Sequence, residues 1–196
     1  MPHANVRRGR ERCQYRCVQL STEGRAVGFF DRYEYPEWLR EHSLVVGRIA
    51  AALATAHLSA GAALDHGAVT LAAYLHDIGK SPRFAGDPRQ HNELSAVALR
   101  DEGLGHLAEL ARRHPVYAPA DPDLRPRDLA ERIVYYADRR GERRVVSLEE
   151  RLAGQAERHP DYAHRFADQL VAARLIEDLV FTGLPFGPGE LAERVR

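Results

Sequence analysis

Six side chains of this 196-residue chain, His42, His76, Asp77, His91, His114 and Asp138, are of types that hold metal ions and stand where polar groups are seldom placed. Each lies on, or at the end of, the stripe of a helical pattern that should face a core. Leu39, His42, Val46 and Ile49 share one face at i,i+3 and i,i+4 spacing. Val69, Ala72 and His76 line up likewise, with Asp77 about 100° further round the helix. Leu107, Leu110, Ala111 and His114 form another stripe, His91 sits one turn before Leu94, and Val134 and Asp138 are four apart. Taken singly, an inward histidine is ordinarily a packing residue that hydrogen-bonds a neighbouring carbonyl. Buried aspartates are harder to excuse, because an unpaired carboxylate out of water costs several kcal/mol or is forced neutral. Cations are a common remedy for such a set, since imidazole and carboxylate together suit borderline divalent metals. Adjacent His76 and Asp77 can present a terminal ligand to one ion and a carboxylate that spans two.

Lys80 follows in "LHDIGK" and is the only lysine among 28 basic residues. A compact ammonium and a planar guanidinium differ physically, so a lone lysine in an arginine-rich chain suggests a specific task. The overall charge suggests none: 28 basic residues balance 28 acidic ones, which gives no signal for nucleic acid or an anionic membrane. No apolar run reaches the roughly 18 residues of a membrane span, and "PHANVRRGRER" after Met1 does not resemble a signal peptide, so a cytoplasmic protein is expected. Cys13 and Cys17 are too few for a structural zinc site and read as reduced thiols. Nothing in the sequence indicates an oligomeric state.

The elements that must position these residues are helices. Residues 1–30 show no helical period and read as an N-terminal extension, an arm or a short hairpin in "VQLSTEGRAVGFF". Residues 31–196 read as one all-α bundle of about seven helices, with the six residues in a core region of about 36–140 and C-terminal helices over 147–196. The first helix, "PEWLREHSLVVGRIAAALATAHL", opens with a proline, and the second, "DHGAVTLAAYLHDIG", is expected to stop at Gly79. "NELSAVALRDEG", "LGHLAELARRH", "PRDLAERIVYYADRR", "SLEERLAGQAERH" and "PDYAHRFADQLVAARLIEDLVFTG" supply the others. Phe166, Leu170, Ala173, Ile176 and Val180 make an apolar seam on the last, expected to pack on its own domain.

The ordered set of His42, then His76-Asp77, then Asp138 resembles the HD-domain superfamily of metal-dependent phosphohydrolases. "LHDIGK" matches its common HDIG form, "EHSLVVGRIAAALA" and "IVYYADRR" look like the flanking helices, and the resemblance spans residues 36 to about 140. His91 and His114 match the extra histidines of two-metal members such as the HD-GYP phosphodiesterases and the symmetrical diadenosine tetraphosphate hydrolases. "ARRHPVYA" lacks the paired histidine and Gly-Tyr-Pro segment of the former, so the compact nucleotide hydrolases are the nearer likeness. The resemblance implies an HD-domain helical bundle with one divalent ion held by His42, His76, Asp77 and Asp138. A second is implied on His91, His114 and a bridging Asp77. Iron or manganese are the expected metals, with cobalt, nickel and zinc able to take the same ligands. It further implies hydrolysis of a phosphoester or phosphoanhydride in a small-molecule substrate, best a nucleotide, by water that the metal pair acidifies. Asp77 and Lys80 would then be catalytic, with Lys80 facing a phosphate oxygen. Arg83, Arg113 and Arg139 are further phosphate-binding candidates. Two alternatives stay open: a di-iron oxygenase on the same ligands, and a nucleotide-binding module with little turnover.

Overall fold

Local capping residues divide the chain into the helices that carry the site. The computed structural model describes residues 21–195. Among them every regular element is helical, with one isolated antiparallel bridge between Gly141 and Val145. Cys13 and Cys17 lie outside the described residues.

Where a hairpin or arm was expected, the structure has helix α1 (Thr22–Arg32). Its start is written in Ser21, whose hydroxyl accepts from the Gly24 amide, and in Glu23 in the first turn. Ala26 and Phe30, one turn apart, face the core. Gly24 and Gly28 dilute the apolar period that would otherwise have announced the helix.

Helix α2 (Glu37–Ser59), with Pro36 at its N-cap, is the central element; Leu39, Val46, Ile49 and Leu53 are fully buried along one face. It packs on α3 (His66–Leu75), which is capped by Asp65, and the ring of Tyr74 fills the place a side chain on Gly47 would need. Helix α3 does not run to Gly79 as expected. His76 still has helical angles, the backbone leaves the helix at Asp77, and Ile78–Lys80 form a 3₁₀ turn.

Gly79 has a different task from ending a helix. A Cβ there would overlap the carbonyl oxygen of His91 and come within 2.7 Å of the Ser95 amide nitrogen. Its own N–H donates to Ser95 Oγ at 2.9 Å. The missing side chain therefore lets the turn after Asp77 press against the start of α4 (His91–Asp101).

A 3₁₀ turn leads into the short α5 (Ala108–Arg112), which packs on α4. Helix α6 (Leu129–Arg140), capped by Asp128, lies against α2 and α3. Beyond it, α7 (Leu148–Arg158) and α8 (Phe166–Phe181) pack on each other and on α6, with a 3₁₀ stretch, Pro160–Arg165, where the last helix was expected to begin. Ala173, Ile176 and Val180 of the seam are buried in this contact. Tyr136 and Arg140 of α6 meet Glu177 of α8, at 2.6 Å and 3.3 Å respectively, which satisfies that buried carboxylate. A final short helix, α9 (Leu191–Arg194), had no sequence counterpart. No helix among the described residues is long and apolar enough to cross a membrane.

Candidate metal centre

Five segments deliver six side chains to one place. His42 comes from the buried face of α2, His76 and Asp77 from the end of α3, and His91 is the first residue of α4. His114 follows α5, and Asp138 lies in the last turn of α6. Five of the six are buried, and His91 keeps 31% of its side chain exposed.

The two carboxylate oxygens of Asp77 face different partners. Oδ2 lies 3.3 Å from His76 Nε2 and 3.6 Å from His42 Nε2, whereas Oδ1 lies 3.2 Å from His114 Nε2 and 3.6 Å from His91 Nε2. Asp138 Oδ1 stands 3.2 Å from His42 Nε2 and 3.7 Å from His76 Nε2. Ligand atoms sharing one ion at about 2.1 Å are themselves roughly 3.0–3.4 Å apart; the 3.2 and 3.3 Å separations fall in that range and those of 3.6 and 3.7 Å lie just beyond it.

Tautomers sharpen the case. His76 Nδ1 lies 2.8 Å from the Ala73 carbonyl, and His114 Nδ1 is bonded to the Ala111 carbonyl. A carbonyl oxygen only accepts, so each Nδ1 carries a hydrogen, and whenever the ring is neutral its Nε2 lone pair faces Asp77. Lone pair facing carboxylate is repulsive unless a proton or a metal ion lies between. A backbone carbonyl behind the ring is the usual way a protein orients a metal-binding histidine. Among the described residues the buried Asp77 Oδ1 has no hydrogen-bond partner, the kind of orphan acceptor a cation would satisfy. Two overlapping groups, His42/His76/Asp138 and His76/Asp77/His114, have their ligand atoms within 4.8 Å of one another, compatible with a dinuclear site.

The electrostatics agree. Burial works against the charged forms of all these groups, but for Asp77 the charges of Lys80 and His76 hold its carboxyl well below the usual range, and Arg139 and the histidines do so for Asp138. Burial disfavours protonated His76 too, yet the two aspartates overturn it and push the ring up to about 9. Burial holds His42, His91 and His114 below the ordinary imidazole value. Two ionised carboxylates and three neutral imidazoles are the protonation states a divalent cation requires.

The model of the family described as the HD domain matches residues 39–141, more than half of the chain. The chain belongs to the HD-domain family. No curated protein and no solved structure matches it. All six converging residues and Lys80 lie inside the HD domain.

The four cations singled out from the sequence have different fates in this HD domain. Lys80 Nζ is 2.7 Å from Asp77 Oδ2 and lines a cavity of about 690 Å³ beside His42. Arg139 is buried and paired with Asp138, so it orients that carboxylate rather than facing the cavity. Arg83 stacks over the Tyr33 ring at 5.3 Å and is absent from the cavity wall. Arg113 is buried, donates to Glu109 and to the carbonyls of Asp123 and Arg125, and is ion-paired with Glu131, which makes it a clamp for the loop after His114.

Sequence reasoning missed the wall of that cavity, which α7 builds beyond the HD domain. Arg151 Nη2 lies 3.2 Å from Asp138 Oδ1, and its Nη1 is 2.8 Å from Glu142. Gln155, Arg158 and His159 complete this side, Arg143 adds a cation, and Trp38 stands at the α2 side. The signal was present: Arg151, Gln155 and Arg158 recur at i,i+4,i+7, a polar stripe on one helical face.

Proposed function

We propose that this chain is a metal-dependent phosphohydrolase that cleaves a phosphoester or phosphoanhydride of a nucleotide or related small molecule. The observation that carries the reading is the split environment of Asp77, one oxygen toward His42 and His76 and the other toward His91 and His114. That is the arrangement of a carboxylate shared by two ions. His42, His76 and Asp138 would complete one ion's ligands, and His91 and His114 the other's. Divalent ions there would acidify water near neutral pH and offset charge on both the attacking and leaving oxygens at phosphorus.

The residues around them have definable tasks. The Ala73 and Ala111 carbonyls lock the tautomers of His76 and His114, so neither ring needs to reorganise as charge develops. Arg139 holds Asp138 by Oδ2, and Arg151 by the same Oδ1 that faces His42 and His76. Lys80 lines the cavity, no further from Asp77 than the ligands are from one another, and a substrate phosphate oxygen entering there would meet its ammonium. His91, the most exposed of the six, marks the side of the cluster open to solvent.

A phosphate-release screen with metal-loaded protein over mono- and dinucleotides, run with and without dioxygen, tests the reading. The expected result is metal-dependent release of inorganic phosphate or nucleotide product that continues anaerobically. Turnover that stops without dioxygen would assign the cluster to oxygenase chemistry instead. Nucleotide binding with no product would leave a binding module.

A further inference from the structure

Trp38 is the only tryptophan in the chain, and 52% of its surface is exposed. It lies on the first turn of α2, four residues before His42, and both line the cavity of about 690 Å³ that also contains Lys80. Four helical residues advance about 6 Å, so Trp38 and His42 lie about one turn apart along α2. A large aromatic left half in water next to a built cavity is unlike a scattered surface apolar residue, whose exposure needs no explanation.

Arginines on and just before α7 supply another part of the lining. Arg143, Arg158 and His159 line the cavity, with Arg143 ion-paired to Glu41 at 3.0 Å and Glu142 held by Arg151 at 2.8 Å and by Arg158 at 3.1 Å. Of the residues lining the cavity, His42 and Lys80 lie inside residues 39–141, whereas Trp38 precedes and the α7 residues follow them.

From this juxtaposition of indole, cations and cluster, we propose that Trp38 is a specificity-determining residue. It would stack the planar base of a nucleotide substrate while Lys80 and the α7 side hold its phosphates. Base stacking on an aromatic side chain is tolerant of base identity because every base presents a π face. The separation of one helical turn is on the scale of the sugar between base and phosphate. A volume of about 690 Å³ is that of a small-molecule site. The proposal rests on the phosphohydrolase reading only for the fate of the phosphate; the stacking contact stands apart from catalysis.

Because Trp38 is the sole tryptophan, its emission reports the contact directly in the full metal-loaded protein. Adenosine and uridine mono- and triphosphates should quench it saturably, whereas ribose 5-phosphate and tripolyphosphate should leave it unchanged. Trp38→Ala should raise KM for nucleotides about tenfold, equal to about 1.4 kcal/mol, with kcat and hydrolysis of ring-free esters retained. Trp38→Phe should recover most of the loss. Emission indifferent to every nucleotide, or equal quenching by the ring-free phosphates, would overturn the proposal even if hydrolysis proceeds. Quenching by nucleotides without any hydrolysis would uphold the stacking site and remove the phosphohydrolase reading instead.

Discussion

Oδ1 of Asp77 lies 3.2 Å from Nε2 of His114, a ring whose other nitrogen is committed to the Ala111 carbonyl. Two acceptors held face to face in a dry interior require something positive between them. The same holds at Oδ2 of Asp77 with His76, so one carboxylate links both halves of the cluster. Replacing Asp77 by Asn keeps the shape and halves the available charge. Asp77→Asn should lower metal content from two ions per chain toward none, measured by elemental analysis, and reduce phosphate release to background. His91→Ala, at the exposed end, should lose one ion and keep the other.

Lys80 pairs with Asp77 but is not among the converging histidines and aspartates. Lys80→Ala should therefore retain metal and lower kcat by roughly 100-fold, the scale of one lost charge-stabilising donor. Steady-state kinetics beside elemental analysis checks it; unchanged kcat would remove the lysine from the mechanism.

In metal-free protein, a proton on His76 Nε2 takes the place a cation would occupy. Its folded value is raised to about 9 from an ordinary 6.5. The resulting stabilisation is thus fully present below pH 6.5 and is lost as pH rises through 9, an effect on the order of 3 kcal/mol. Metal-free protein should melt at lower temperature as pH climbs across that window. Metal must displace this proton, so calorimetry near pH 7.5 in buffers of differing ionisation enthalpy should show release of about one proton per chain. Metal uptake without proton release would contradict the assignment of His76.

Gly79 lets the turn carrying Asp77 meet the first residue of α4. Gly79→Ala inserts a Cβ into backbone rather than into a yielding side chain, and overpacking of this kind costs about 1–3 kcal/mol. The melting temperature should fall by roughly 3–10 °C in thermal unfolding. Affinity for the ion on the His91 side should fall with it.

The convergence of six side chains was legible in the sequence because inward-facing histidines and aspartates contradict the ordinary rule of burial, and helical spacing says which way each one points. Where that spacing was diluted the pattern was hidden, as in α1, whose two glycines interrupt the Ala26 and Phe30 stripe. Gly79 read as a helix stop because its sequence position suits one. Its actual constraint is the approach of α4, a tertiary contact that local spacing cannot contain. The same limit explains Arg113 and Arg83: proximity in sequence to a site residue does not say which groups a guanidinium will meet, and in the fold they meet a loop and a tyrosine ring. The α7 wall depends on how a later helix packs over Asp138, so Arg151 could be seen as part of a polar stripe without its target being visible.

Elemental analysis of protein purified without chelators and then reconstituted with manganese or iron tests the central claim most directly. The account predicts two divalent transition-metal ions per chain in the native protein and none retained once Asp77 is replaced by Asn. A folded native chain that takes up no metal, or an Asp77→Asn variant that still holds two ions, would contradict it.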